Sequence, residues 1–264
     1  MSSLLHQAIT QPKKAVRGLR NRGIRWYVKA RNGVGSDAEA PVNASGLPLF
    51  EEVQQFALNR SDISDHLPRI FAESLRYRPS LIVELGVRGG ASTFVFERVA
   101  RLTGSTLVSV DLDDCSGSSL FPEWHFIQGD DIEIAKNFPE WCRKQGIEPH
   151  IDVLFIDTSH YYEHTVDEIA HWFPHLSERA LVIFHDTNMR EVYTRNDGSV
   201  GQGWDNDRGV IQAIEEYFGR SFNESVDFVH VEPGWLIKHY SRCNGLTLLE
   251  KHPLPSQNGR SGVE

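Results

Sequence analysis

Cysteine is scarce in this chain, with three among 264 residues. Cys115, Cys142 and Cys243 are scattered and odd in number, which excludes a disulfide framework and the close spacing of a zinc knuckle. No run of eighteen apolar residues occurs, so no membrane-spanning helix is expected. The N-terminus has no apolar signal-peptide core, and a cytoplasmic location is the expectation. Acidic residues are absent from residues 1 to 35, where Lys13, Lys14, Arg17, Arg20, Arg22, Arg25, Lys29 and Arg31 stand. The net charge of −9 therefore hides a basic arm on a strongly acidic body. Such a body argues against a nucleic-acid enzyme. The arm itself reads as a solvated or loosely docked helix, although a membrane surface, a nucleic acid or a second subunit of a homo-oligomer would also fit its charge.

Composition is otherwise that of a globular domain, with 40% hydrophobic and 24% charged residues. Residues 1 to 46 form the arm and a Gly/Ser/Pro/Asn-rich linker, and residues 47 to 242 form one domain. Residues 243 to 264 are expected to be a flexible tail, since "EKHPLPSQNGRSGVE" is rich in loop formers. Residues 49 to 77 carry two helices by their apolar spacing. Strands and helices then alternate: "LIVEL" (81–85), "TLVSV" (106–110), "HFIQG" (125–129), "IDVLFI" (151–156) and "ALVIFH" (180–185) are strands. "VDFVHV" and "GWLIKHY", separated by "EPG", form a hairpin. This pattern predicts an α/β fold: a doubly wound, Rossmann-like parallel sheet whose last strand is antiparallel.

Ligands of such sheets bind at the carboxyl ends of the strands. After the first strand comes "VELGVRGGAS" (83–92). A dinucleotide fingerprint would need glycine at position 84, where the chain has Glu84. A carboxylate there would repel a pyrophosphate and attract an ammonium or sulfonium group. Gly86, Gly90 and Ser92 line the same loop. Asp111, ending the second strand, stands at the distance usual for an acid that grips ribose hydroxyls. Together these residues point to S-adenosyl-L-methionine. The plainer alternatives are a surface turn for Glu84 and a helix cap for Asp111. Asp130, in "GDD" after the third strand, would face the adenine end or cap the following helix.

Half of the twelve histidines fall between positions 150 and 185. "HYYEH" and "HWFPH" lack the Glu that a zinc-protease helix requires, so His164, His171 and His175 read as surface or packing residues. His160 differs, because it lies three residues beyond the strand-ending Asp157. Asp157 and Asp186 end strands expected to be neighbours, so both carboxylates would converge on one crevice. Like charges held close require a proton or a cation between them. Hard oxygen ligands suit Mg²⁺ or Mn²⁺, and its open positions could take neighbouring hydroxyls of a sugar. Residues 187 to 209 form a loop too long for a connector, in which Tyr193 and Trp204 could stack on sugar faces.

"VELGVRGG", "VSVDLDD", "IQGDD" and the closing hairpin resemble the class I S-adenosylmethionine-dependent methyltransferases over residues 60 to 240. The resemblance implies a seven-stranded sheet with its last strand antiparallel. "FIDTSHYYEH" and "IFHDT" further resemble a metal-dependent subgroup that includes O-methyltransferases of macrolide and aminocoumarin sugars and the cephalosporin-hydroxylase-like proteins. That likeness implies Asp157, Asp186 and the residue at 185 as metal ligands and His160 as general base. His185 stands where the subgroup usually has an acid, and imidazole suits Mn²⁺, Fe²⁺ or Zn²⁺ better than Mg²⁺. The implied activity is methyl transfer to a hydroxyl of a sugar, oligosaccharide or glycosylated metabolite. The alternatives are a catechol-type methyltransferase, an iron-dependent oxygenase, and a methyltransferase-like fold that binds without turnover.

Overall fold

The computed structural model describes residues 12–31 and 46–253. Part of the basic arm is helix α1 (Pro12–Arg31), whose Arg20 pairs with Glu191. The linker at 32–45 lies outside the described residues. Helices α2 (Phe50–Ala57) and α3 (Leu67–Tyr77) follow, with the expected break between them. Then come β1 (Leu81–Leu85), α4 (Ala91–Thr103), β2 (Thr106–Asp111), β3 (Trp124–Gln128) and α5 (Asp131–Gln145). Next are β4 (Ile151–Ile156), α6 (Tyr162–Trp172) and β5 (Leu176–His185). The long loop holds a small hairpin, β6 (Val192–Thr194) and β7 (Val200–Gln202). Helix α7 (Gly209–Phe218), β8 (Phe228–Glu232), β9 (Trp235–Tyr240) and β10 (Leu246–Lys251) complete the chain.

Strands β1 to β5 pair in parallel; helices carry the crossovers from β1 to β2, β3 to β4 and β4 to β5, and a loop carries the one from β2 to β3. Side chains alternate between the two faces. Ile82, Leu107, Val153 and Phe155 pack under α2, α3 and α4 with Phe71, Val95 and Phe96. Val83, Val108, Leu154 and Val182 pack under α5, α6 and α7 with Phe138, Trp172 and Ile211. Burial on both faces explains why these strands read as unbroken apolar runs.

The C-terminal edge departs from expectation. The sheet has eight strands in the order β3-β2-β1-β4-β5-β10-β9-β8. The hairpin forms as β8–β9, turning at Pro233-Gly234, where Gly234 has φ 79°. It does not lie against β5, however. The antiparallel neighbour of β5 is β10, inserted between β5 and β9 from residues expected to be flexible tail. Leu246, Thr247, Leu248 and Leu249 are fully buried. The domain thus extends past residue 242, and only residues 254–264 of the expected tail lie outside the described residues. A six-residue strand beside loop formers leaves no periodic signal of its own.

The entry to β10 needs a tight turn, with Cys243, Asn244 and Gly245 all at positive φ. A Cβ on Gly245 would lie 2.4 Å from the Asn188 nitrogen, so glycine is required there. Asn188 in turn donates its backbone N–H to Asn244. The last strand is thereby tied to the loop after β5.

Chains shortened after Arg242 are expected to lose the cooperative thermal transition, whereas chains shortened after Pro253 keep it. Leu248→Ala should cost about 2–5 kcal/mol in denaturant unfolding, as for other fully buried leucines. An unchanged melt after removal of residues 243–264 would contradict the placement of β10.

Candidate active site

The site lies at the carboxyl ends of β1, β2, β4 and β5. At β1 the register sets Glu84 opposite Ser109 of β2. Glu84 is fully buried and does not open to the strand mouth as its sequence position suggested. Its carboxylate accepts hydrogen bonds from Thr93 (2.9 Å) and Ser109 (2.5 Å). Burial raises its pKa and hydroxyl hydrogen bonds from Ser109, Ser92 and Thr93 oppose the rise, leaving it at about 7. Ser92 is accordingly turned toward Glu84 in the first turn of α4. These contacts lock the start of α4 to β1 and β2 beneath the glycine loop.

Gly86 has φ 89°, and a Cβ there would lie 2.1 Å from the Asp157 carbonyl oxygen. Glycine at 86 is therefore demanded by the close approach of the β4 end. Gly90, also at positive φ, is the N-cap of α4. Asp111 accepts the backbone N–H groups of Val87 (2.8 Å) and Arg88 (2.9 Å) through one oxygen and that of Asp113 through the other. Burial raises its pKa, and these N–H groups together outweigh burial and hold it below the usual range. Asp111 thus shapes the loop, with its carboxylate still partly exposed at the end of β2. Asp130 is exposed and caps α5, accepting the Glu133 N–H at 3.1 Å. Of the two readings open for it in the sequence, the cap accounts for its contacts.

The strand-end acids do converge, because β4 and β5 are hydrogen-bonded neighbours. His160 Nε2 lies 3.0 Å from Asp157 Oδ1 and 3.0 Å from Asp186 Oδ2. His185 Nδ1 lies 3.3 Å from an oxygen of each. The ligand atoms of Asp157, His160 and Asp186 all fall within 4.8 Å of one another. His160, expected as a base, thus sits in the same cluster as the expected ligands. His160 (φ 62°) and Asp186 (φ 57°) both adopt the left-handed backbone region. For residues other than glycine this costs on the order of 1–3 kcal/mol each, and such strain clusters at functional sites.

Burial pulls the Asp157 pKa up, but the His185 charge and the hydrogen bond from His160 overcome it and hold the group well below the carboxylate range. Asp186 is lowered by the same histidines against its burial. Burial lowers the His160 pKa, while hydrogen bonds to Asp157 and Asp186 outweigh this and raise it to about 10. His185 rises well above its ordinary value for the same reason. In both histidines the facing carboxylates favour the charged form. His185 Nε2 is nonetheless buried without a hydrogen-bond partner.

Trp204 meets this cluster, with its ring 5.7 Å from that of His160 and 5.8 Å from that of Tyr161. Tyr193 does not. It is buried in the β6–β7 hairpin, where its hydroxyl accepts from Arg195 (2.9 Å) and its ring covers Gly201. The expected sugar-stacking role is replaced by packing. Two residues without a sequence signal also serve the site. His66, before α3, packs edge-on against His185 at 5.7 Å, and burial with the His185 charge pushes its pKa down to about 3. Asn206 donates to the Asp186 carbonyl at 3.2 Å. Neither stands in a motif: His66 comes from a segment over a hundred residues before His185, and Asn206 from the far end of the long loop that follows Asp186.

The sheet and its site define a class I methyltransferase-type fold. Residues 83–187 match the family model described as a methyltransferase domain. Among solved structures, a Klebsiella pneumoniae protein assigned as an O-methyltransferase has TM-score 0.50 and 14% identity, covering 79% of this chain and 92% of that one. That likeness is one of fold. An O-methyltransferase of Bacillus cereus with SAH has TM-score 0.49 at 13% identity, covering 86% and 99%. MycE of mycinamycin biosynthesis, solved with Mg, SAH and mycinamycin VI, has TM-score 0.49 at 16% identity, covering 100% and 65%. An uncharacterized Sinorhizobium fredii protein is 29% identical over 126 residues, 43% of this chain. The chain matches 14% of the length of that curated relative.

Glu84 gives the site a pH signature. Its folded pKa of about 7 lies above the ordinary 4.5. As pH rises from 4.5, the unfolded chain ionises first, so the protein loses stability until about pH 7, by on the order of 3 kcal/mol. The melting temperature of Glu84→Gln relative to the parent protein should therefore climb between pH 4.5 and 7 and then level off. A difference independent of pH would contradict the buried, protonated state.

Proposed function

We propose that this chain is an S-adenosylmethionine-dependent O-methyltransferase that uses a divalent cation and acts on a hydroxyl of a sugar or glycosylated small molecule. The observation that carries the reading is the convergence of Asp157 and Asp186 on one imidazole nitrogen, directly beside the glycine loop pinned by Asp111. The residues fit both groups. The loop from Gly86 to Gly90 and the partly exposed Asp111 suit the methionine and ribose portions of the cofactor, with Glu84 and Ser92 acting from beneath by holding the loop and α4 in register. Asp157 and Asp186 would hold the cation, with His185 Nδ1, 3.3 Å from an oxygen of each, as a further donor.

Bound S-adenosylmethionine supplies a methyl group on a sulfonium, and a bound cation supplies Lewis acidity to an acceptor hydroxyl. The chain's own residues do the rest. His160 Nε2 is the atom that takes the hydroxyl proton, in its neutral form. A cation held by Asp157 and Asp186 would supply the positive charge that their contacts with His160 call for. Packing of Gly209 against the His160 and Tyr162 backbone fixes the loop that carries this ring, since a Cβ at 209 would come within 2.6 Å of the His160 carbonyl oxygen. Such orientation of reacting groups supplies much of the acceleration in bimolecular transfers. Trp204 and Tyr161 offer aromatic faces at the mouth, a surface suited to a sugar ring.

The test is methyl transfer from labelled S-adenosylmethionine to a panel of glycosides and catechols, with and without Mn²⁺. Asp157→Asn should lower transfer by about 10³-fold, and His160→Ala by about 10²- to 10⁴-fold, the usual worth of a general base. Both variants should bind S-adenosylmethionine within a few-fold of the parent protein by calorimetry. Full transfer after cation removal, or loss of cofactor affinity in Asp157→Asn, would overturn this division of roles. A preference for catechols would retain the chemistry and replace the acceptor.

A further inference from the structure

A second cluster stands behind the first. Asp131 opens α5, and His164 and Glu168 lie one turn apart on α6, so α6 presents both to the start of α5. His164 Nε2 is 3.2 Å from Asp131 Oδ1 and 3.6 Å from Glu168 Oε1. The ligand atoms of the three residues fall within 4.8 Å of one another. Glu168 is fully buried and Asp131 nearly so. The Thr158 hydroxyl donates to Glu168 Oε1 at 2.5 Å. Two oxygens of the cluster, Glu168 Oε2 and Asp131 Oδ2, are buried without any hydrogen-bond partner. A carboxylate oxygen enclosed in this way costs free energy unless a proton or a cation meets it.

We propose that Asp131, His164 and Glu168 form a second divalent-metal site, of the Zn²⁺ type, distinct from the Asp157–Asp186 centre. One imidazole and two carboxylates are a donor set of borderline softness. They suit Zn²⁺ with three protein ligands and one open position better than they suit Mg²⁺ or Ca²⁺, which prefer oxygen ligands alone. The helical pair His164–Glu168 supplies two ligands from one rigid face, and Asp131 closes the site from the neighbouring helix.

The ion has a structural role in this position. Thr158 follows Asp157 directly, so the segment that carries Asp157 and His160 into the first centre is anchored to Glu168 of the second. Asp131 begins the helix that follows β3 on the cofactor side of the sheet. Binding at the second centre thus fixes the segment that carries Asp157 and His160 and joins it to the start of α5. Nothing in the sequence marks the arrangement, because Asp131 lies 33 positions before His164 and reads as a helix start. His164, expected to be a surface or packing residue, is part-exposed and packs against Asp131 and Glu168.

The experiment uses the full chain stripped with chelator, then equilibrium dialysis against Zn²⁺ with metal counting by mass spectrometry. Asp157→Asn/Asp186→Asn removes the first centre, and His164→Gln, at a part-exposed position, removes the second. The double variant should retain one Zn²⁺ that is lost when His164→Gln is added. Zn²⁺ should also raise the melting temperature of the double variant, by preferential binding to the folded state, and have no such effect once His164 is replaced. Equal Zn²⁺ content with and without His164 would overturn the proposal. Co²⁺ added to the double variant tests the second centre with its ligands intact, whatever the folding of His164→Gln. A visible d–d absorption that Zn²⁺ abolishes is expected, and a spectrum of free aqueous Co²⁺ would overturn the assignment.

Discussion

Two carboxylates at the ends of adjacent parallel strands, sharing one imidazole nitrogen, are the constraint around which this molecule is arranged. Unscreened like charges at that separation would drive the strands' ends apart or force one acid to protonate. Here two histidines neutralise them, and neither Asp186 nor His160 reaches its place without a left-handed backbone. Strain of that kind persists only where the surroundings over-determine it. The surroundings do so from several directions: Asn206 on the Asp186 carbonyl, Gly209 against the His160 carbonyl, His66 against the His185 ring.

The same constraint explains the C-terminal edge of the sheet. The end of β9 already reaches the loop after Asp186, through His239 to Thr187 and through the Ser241 carbonyl to Asn188. In addition, β10 pairs with β5 up to His185, opposite Leu246, and Thr247 donates to the Thr187 hydroxyl at 3.0 Å. The turn that feeds β10 holds Asn188 through Asn244. The last strand therefore braces the loop next to the carboxylates as well as filling the sheet.

Legibility in the sequence followed physical strength. The four central parallel strands β1, β2, β4 and β5 were readable because two-sided burial enforces apolar runs, and convergence of Asp157 and Asp186 followed from strand adjacency alone. Strand β10 was not readable: "LTLLEK" is short, and its neighbours are loop formers. Position along the chain also misled at Glu84, whose polar type suggested exposure while three hydroxyls satisfy it in the interior. Tyr193 was misjudged for a related reason, since the β6–β7 hairpin that buries it is too short to show a period. His66 and Asn206 act through contacts between distant segments, which no local pattern records.

The account makes the arrangement of His160 between the carboxylates a substitute for a cation. The most direct test is a crystal structure grown with S-adenosylhomocysteine and Mn²⁺, with anomalous scattering collected at the manganese edge. The account predicts an anomalous peak between Asp157 and Asp186, with the His160 ring displaced from its bridging position and the cofactor's ribose beside Asp111. Cofactor bound without a peak there, and His160 still bridging both carboxylates, would contradict it.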